Sequence, residues 1–227
     1  MSKQRRHVTL VGCGGVGGWV ARILAPTHRL ALIDGDRVEK KNLDRQFFLP
    51  EHEGMLKVEA LRRGIECLPG AAPIEHCMDE YLTPGKRPRW PTDCIMCCAD
   101  NHRAQATCLQ LADTESVPAI VCANESLSAS AYLYLFHFAD GERDMRVRFP
   151  QISIDNMAGD PTIPHCQVAV ASGQQSVYAN MAAALLGVSL LYTWVDSGFC
   201  DVPEFDDTLV GIAWRHECQV SKWRSIS

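Results

Sequence analysis

With 227 residues, 47% of them hydrophobic and 22% charged, the chain is long enough to bury a core and too apolar to be disordered; it reads as a single domain spanning 1–227. A formal charge of -5 and a pI near 5.9 argue against a nucleic-acid surface. The apolar run behind the first two arginines is too short for a secretory signal, so a cytoplasmic location is expected, and the 11 cysteines read as free, mostly buried thiols rather than a disulfide framework.

His7 to Val11 (HVTLV) is a β-branched run that predicts a first strand, followed at once by GCGGVGG and an apolar stretch of helical spacing. Gly12, Gly14, Gly15 and Gly17 thus fall at a strand-to-helix turn, where bare backbone N–H groups and a helix N-terminus can meet a phosphate. A tight turn in any α/β protein would carry the same glycines. Arg29 to Ile33 (RLALI) predicts the second strand, with Asp34 at its C-terminal end, where an acid commonly accepts hydrogen bonds from ribose hydroxyls. NAD and ATP both satisfy the pattern this far.

The following residues separate the two. Asp36, Asn42, Arg45 and Gln46 come in quick succession, and Lys57 stands twelve residues after Arg45. NAD needs no such pair of cations, whereas a triphosphate under attack needs fixed positive charge beside its oxygens. The segment from Gly54, GMLKVEALRRGIECL, has helical spacing and ends before Pro69-Gly70, which places Lys57 in the first turn of a helix.

Ala72 to Cys77 predicts a third strand, Thr83 to Arg89 a solvated loop, and Asp93 to Cys98 a fourth strand running into Ala99-Asp100-Asn101 and the helix HRAQATCLQLAD. Asp100 then lies just past the C-terminal edge of a central strand, where a carboxylate could hold Mg against phosphates; an Asp capping the next helix would occupy the same place. Cys94 and Cys97 are spaced as a CxxC pair, but on a strand their side chains face opposite ways, so neither zinc nor redox chemistry is expected of them.

Val117 to Cys122 predicts a fifth strand and Ala131 to Phe138 a sixth; with no helix between them the sheet should turn antiparallel or mixed there. The turn-rich stretch Asp155 to Pro164 leads to Cys166, beside His165 and ahead of a helix start that would lower a thiol pKa, so Cys166 is the best nucleophile candidate against the reading of an incidental loop cysteine. Ser176 to Val195 carries no charge over twenty residues, yet Asn180, Ser, Thr and a glycine interrupt it, and it reads as a buried helix with a dimer contact as one use, rather than a membrane span. Thr208 to Trp214 would add an edge strand. The predicted fold is α/β: a Rossmann-like mixed sheet with helices on both faces, a parallel N-terminal half and antiparallel C-terminal strands.

Assembled, these residues resemble the ThiF/MoeB superfamily, which includes the ubiquitin-activating adenylyltransferases. The likeness rests on Gly12-x-Gly14-Gly15-x-Gly17, Asp34-x-Asp36-x-Val38, Asn42-Leu43-x-Arg45-Gln46, Gly54-x-x-Lys57 and Ala99-Asp100-Asn101, and is close over 7–103. It implies that Asp34 takes the ribose, Arg45 and Lys57 the phosphates, that Asn42 and Gln46 line the same site, and that Asp100 holds Mg. ATP and Mg would serve a reaction in which a C-terminal carboxylate attacks the α-phosphate, giving an acyl adenylate and pyrophosphate. Many relatives then intercept the adenylate with a thiol, the role implied for Cys166. The implied partner is a small ubiquitin-like or sulfur-carrier protein ending in glycine, the implied assembly a homodimer or heterodimer, with neither nucleic acid nor membrane involved.

Three departures from the pattern stand out. The chain begins almost at the first strand, which leaves Arg5, Arg6 or another protein to supply the arginine that many relatives carry ahead of it. The paired zinc-binding CxxC motifs are missing, so no structural zinc is expected. Gln105 stands near the place of a frequent arginine, with Arg103 two residues earlier. Pro164-His165-Cys166, Gln174, Gln175, Asn180 and the Ala-rich helix look most like the compact bacterial ThiF-like proteins. Other readings are adenylation of a small-molecule or peptide carboxylate, and a non-catalytic scaffold half of a heterodimer; an NAD oxidoreductase would have no use for Arg45 with Lys57.

Overall fold

The computed structural model describes residues 5–125, 128–139, 141–156, 176–196 and 211–215. Seven strands form one sheet in the order β3-β2-β1-β4-β5-β6-β7. They are β1 (His7–Val11), β2 (Arg29–Ile33), β3 (His76–Met78), β4 (Cys94–Cys97), β5 (Ala119–Asn124), β6 (Ser128–Tyr134) and β7 (Gly211–Arg215). The first five run parallel, with β1 between β2 and β4, in the register Val8↔Leu30 and Val8↔Cys94. The β5–β6 and β6–β7 pairs are antiparallel, as the missing crossover helix predicts.

Burial follows from that order. Every residue of β4, the middle strand, is shut off from solvent, because helices cover both faces of a parallel sheet. Cys94 and Met96 face one core, and Ile95 and Cys97 the other. The two sulfurs of the CxxC pair therefore lie on opposite sides of the sheet.

On the first face lie α1 (Gly15–Leu24) and α2 (Lys57–Glu66); on the second lies α3 (His102–Glu115), with the short α4 (Met145–Arg148) beyond it. The uncharged segment forms α5 (Val177–Leu190), continued by a π-helical turn Leu191–Asp196, and it packs on α1, β5 and β6. Its apolar residues run all round: Ala183, Ala184, Val188 and Leu190 are buried against the sheet and α1, while Tyr178 and Leu185 lie on an exposed face. Gly187 permits the close approach: a Cβ there would run into the Cys122 thiol and come within 3.1 Å of Met96 Cε. Among the described residues no helix is long and apolar enough to cross a membrane.

Strand edges depart from the sequence reading where proline intervenes. The third strand is only His76–Met78, not Ala72 to Cys77, since Pro73 has no N–H to give a ladder and the Ala72 N–H goes instead to the Ala25 carbonyl at 3.0 Å. The fifth begins at Ala119, after Pro118, once α3 has ended on Ser116 in the left-handed region at φ 54°. The sixth ends at Tyr134, and Phe136–Phe138 forms a 3-10 turn rather than more strand. The fourth strand, Cys94–Cys97, is one residue shorter at each end than expected, and the last, Gly211–Arg215, runs one residue past Trp214, while 208–210 lie outside the described residues.

Candidate functional site

The chain leaves β1 toward β2 on one side and returns to β4 on the other, which opens a crevice at the C-terminal ends of these strands. Gly12 turns into it with φ +90°, its N–H held by the Ile33 carbonyl at 2.9 Å, and a Cβ there would stand 2.8 Å from the Ala99 nitrogen. A Cβ at Gly17 would collide with the Gly12 carbonyl. Only glycine fits either position. Helix α1 then starts at Gly15 behind Gly14, an N-cap without a side chain, so no cap side chain accepts from its first-turn N–H groups, which could instead take an anion.

Asp34 binds the turn to the end of β2. Its buried carboxylate accepts from the Cys13 N–H at 2.6 Å and the Asp36 N–H at 2.8 Å. Burial pushes this carboxyl above the ordinary range, with neighbouring Asp36 adding to the rise and Lys57 opposing it. Asp36 goes the other way. Burial alone would raise it, but the Lys57 ammonium at 2.7 Å and the Tyr81 hydroxyl hold it below the usual value.

Lys57 reaches this position because the excursion after Asp36 folds back on itself. An isolated bridge joins Arg37 to Leu56, Val38 N–H donates to Met55 O at 2.8 Å, Gly54 takes φ +82°, and the Lys57 N–H closes on Asp36 O at 2.9 Å. Lys57 is thus the first residue of α2, with its side chain only 10% exposed. Asn42 works inside the excursion: its Oδ1 accepts the Glu39 N–H at 2.9 Å and closes a 3-10 turn over Lys40–Asn42.

Arg45 is 5% exposed; its Nη1 donates to the Lys41 carbonyl and to Asp44 Oδ1 at 2.9 Å, while its Nε is buried with no partner among the described residues. Gln46 lies against Gly14, with its amide 3.6 Å from where a Cβ would stand, and its Oε1 is likewise buried and unpartnered. Buried polar atoms without partners are rare in folded proteins and call for a physical reason. Here two of them belong to consecutive residues, and the Gln46 amide stands at the glycine turn.

Asp100 is exposed on the link from β4 to α3. The N-cap of α3 is Asn101, one residue on, whose Oδ1 accepts the Ala104 N–H at 2.7 Å. Among the described residues no group of three or more His, Cys, Asp or Glu could hold a metal. Asp100 could still be one protein ligand to Mg, an ion that commonly takes one or two carboxylates and completes its shell with phosphate oxygens and water.

The glycine turn, the paired acids and the folded-back cations point one way, and comparison with known proteins decides it: the ThiF family matches residues 3–189. The chain belongs to the ThiF family. Ubiquitin-like modifier-activating enzyme 5 of Drosophila willistoni is 34% identical over 117 residues, 45% of this chain and 29% of that enzyme. The aligned stretch thus spans less than a third of this relative. Among solved structures, PaaA superposes with a TM-score of 0.66 at 22% identity, covering 93% of this chain and 61% of that one. The Escherichia coli tRNA N6-threonylcarbamoyladenosine dehydratase TcdA, in complex with ATP, gives 0.63 at 17% identity, covering 85% and 86%. At such identities the two structures establish the shared fold.

Other residues of this ThiF-family chain fall less tidily. Cys166 lies outside the described residues. The thiols of Cys13 and Cys94 are driven up chiefly by burial, and those of Cys98 and Cys108 first by hydrogen bonds with Cys122 and Cys97 and then by burial, so none of these four favours the thiolate. Arg6 pairs with Asp196 at 3.4 Å just ahead of β1, at the opposite end of that central strand from the glycine turn, and so does not serve the crevice of its own chain. Gln105 is buried and bonded to His102 Nδ1 at 3.1 Å. The sequence reading placed Asn180 in the C-terminal pattern but not in the site, although the structure sets it against Gly15 and the Arg45 carbonyl. Its signal was there: a lone amide in the first turn of an otherwise uncharged helix.

Proposed function

We propose that the chain uses ATP to adenylate the C-terminal glycine carboxylate of a small ubiquitin-like or sulfur-carrier protein. The carboxylate oxygen attacks the α-phosphorus, the bond to the bridging oxygen breaks, and pyrophosphate leaves with the electron pair. The observation that carries this reading is the pair of buried atoms without a partner among the described residues, Gln46 Oε1 against the uncapped N-terminus of α1 and Arg45 Nε on the preceding residue, in the same excursion that brings Lys57 to Asp36. An NAD site needs no such cations. The family membership and the ATP complex of TcdA support the nucleotide, and the name of the activating enzyme supports the class of acceptor.

In this reading Asp34 accepts from the ribose hydroxyls, and Arg45 and Lys57 neutralise the phosphates. Asp100 would hold Mg, which when bound offsets the charge of the departing pyrophosphate. Cys166 is the proposed acceptor for a second step, its thiolate adding to the acyl carbon while AMP leaves.

Exchange of labelled pyrophosphate into ATP tests the first step. We expect exchange only when a small protein ending in glycine is added, and its loss in Asp100→Ala. Exchange supported by a small acid but by no protein C-terminus would overturn the acceptor, and exchange surviving in Asp100→Ala would overturn the metal ligand. A reductant-sensitive conjugate lost in Cys166→Ala while exchange continues is the expected sign of the thioester.

A further inference from the structure

Asn180 stands in the first turn of α5, 2% exposed, in a helix otherwise built of alanine and aliphatic residues. Burying an amide there is costly unless its hydrogen bonds are made. Both ends are engaged. Its Nδ2 donates to the Arg45 carbonyl at 3.3 Å, and its Oδ1 accepts from Asn124 Nδ2 at 2.9 Å. The same amide lies so close over Gly15 that no Cβ could fit between them.

Three segments far apart in sequence meet at this one side chain: the start of α1, the excursion carrying Arg45, and the end of β5. Arg45 needs such an anchor. Around it the excursion is made of short 3-10 turns, Lys40–Asn42 and Pro50–His52, with one isolated bridge closing it at Arg37 and Leu56. Among the described residues no strand ladder fixes the depth at which the Arg45 backbone sits against the glycine turn; Phe47 packs the excursion onto Trp19 and Arg22 of α1, and the Asn180 amide holds the Arg45 carbonyl from the α5 side.

We propose that Asn180 is a positioning residue of the nucleotide site, holding the Arg45 backbone against the glycine turn so that the guanidinium meets the phosphates. Asn124 braces the amide from behind and sets which way it points. The role rests on the adenylation reading above, and it predicts an effect on ATP that passes through Arg45.

Equilibrium binding of ATP with Mg tests it, on the full chain, for the wild type, Asn180→Leu, Arg45→Ala and the double variant. Leucine fills nearly the same volume, so a role in packing alone would leave binding unchanged. We expect Asn180→Leu to weaken ATP binding about five- to tenfold, the worth of a buried hydrogen bond, and to add less than about twofold in the Arg45→Ala background. Effects that multiply in the double variant, or wild-type affinity in Asn180→Leu, overturn the role. Should Asn180→Leu fail to fold, Asn124→Ala removes the brace and leaves Asn180 in place; a weakening of about two- to threefold is expected, and unchanged affinity overturns the proposal. A wild type that binds no ATP would overturn the adenylation reading itself, an outcome distinct from a wild type that binds ATP and a variant that binds it as well.

Discussion

Two charged clusters in this molecule use nearly the same residue types and settle them differently. Beside α3, Arg146 donates to Asp113 at 2.8 Å, to Asp144 at 2.7 Å and to the Tyr134 hydroxyl at 2.7 Å, and that hydroxyl donates in turn to Asp113. The cluster closes on itself, and its partners raise the Arg146 pKa against the opposing effect of burial. At the strand ends, Lys57, Asp34 and Asp36 form the second cluster, with Arg45, paired to Asp44, on the excursion that joins Asp36 to Lys57. This region keeps a buried guanidinium Nε without a partner among the described residues and a carboxyl, that of Asp34, whose burial works against its own ionisation. A network satisfied from within stabilises a fold; one left short of partners is suited to a ligand.

The widest separation between the two should come from removing each arginine. Arg45→Ala is expected to lower pyrophosphate exchange about 10²- to 10³-fold, the usual worth of a fixed cation at a reacting phosphate, with about 1 kcal/mol or less lost in stability. Arg146→Ala should reverse the balance. It removes the guanidinium from beside Asp144, which is 1% exposed, and should cost about 2–3 kcal/mol in urea unfolding, with an unaltered KM for ATP in the fraction that folds. If Arg45→Ala unfolded the chain and Arg146→Ala abolished exchange, the assignment of the two clusters would be reversed.

The sequence announced the second cluster and was silent about the first. Gly12, Asp34 and Lys57 stood out because a tight turn, a strand end and a helix start leave local marks: glycine where φ must be positive, an acid after a β-branched run, helical spacing after Gly54. The parallel order and the antiparallel return at β6 were equally legible, from the presence or absence of a helix between strands. Arg146, Asp144, Asp113 and Tyr134 come from three different elements, α4 with its cap, α3 and β6, and nothing in their spacing foretells the meeting. Strand ends at Ala72 and Val117 were misplaced because apolar composition continued where a proline had already removed the ladder donor. Asn180 was underrated because its worth depends on Gly15 and Arg45, contacts that belong to the tertiary fold.

A third substitution asks whether α5 belongs with the fold or with the site. Gly187 lies two turns beyond Asn180 on the same helix, and a methyl there would press on the Cys122 thiol and on Met96. Gly187→Ala should lift α5 from the sheet at a cost of about 1–3 kcal/mol. Because Asn180 travels with the helix, ATP affinity should fall as well, by about two- to fivefold, whereas Arg146→Ala lowers stability alone. Stability loss without any change in ATP affinity would show that the helix can shift without disturbing Arg45.

The smallest effect expected is also the most specific, and it concerns Asp34 and Asp36, two residues apart with opposite shifts. Asp36 has a folded pKa below its unfolded value of 3.8, so its contribution to stability is complete above that value and is lost as pH falls through the lower folded pKa. Asp34 has a folded pKa above 3.8, so its ionised form costs stability at neutral pH, and that cost is relieved as pH falls through the raised pKa toward 3.8. Acidification should therefore protonate Asp34 first, weakening ATP binding while the Asp36–Lys57 pair still holds, and should break that pair only below pH 3.8. Carboxyl-carbon NMR titration reads the two separately. Lys57→Met should raise both values, since its ammonium lowers each of them, and Tyr81→Phe should raise that of Asp36 by removing the hydroxyl that donates to it. Two carboxyls titrating together near their ordinary value would mean that the paired acids are solvated surface groups, and the contrast with the closed Arg146 cluster would lose its electrostatic basis.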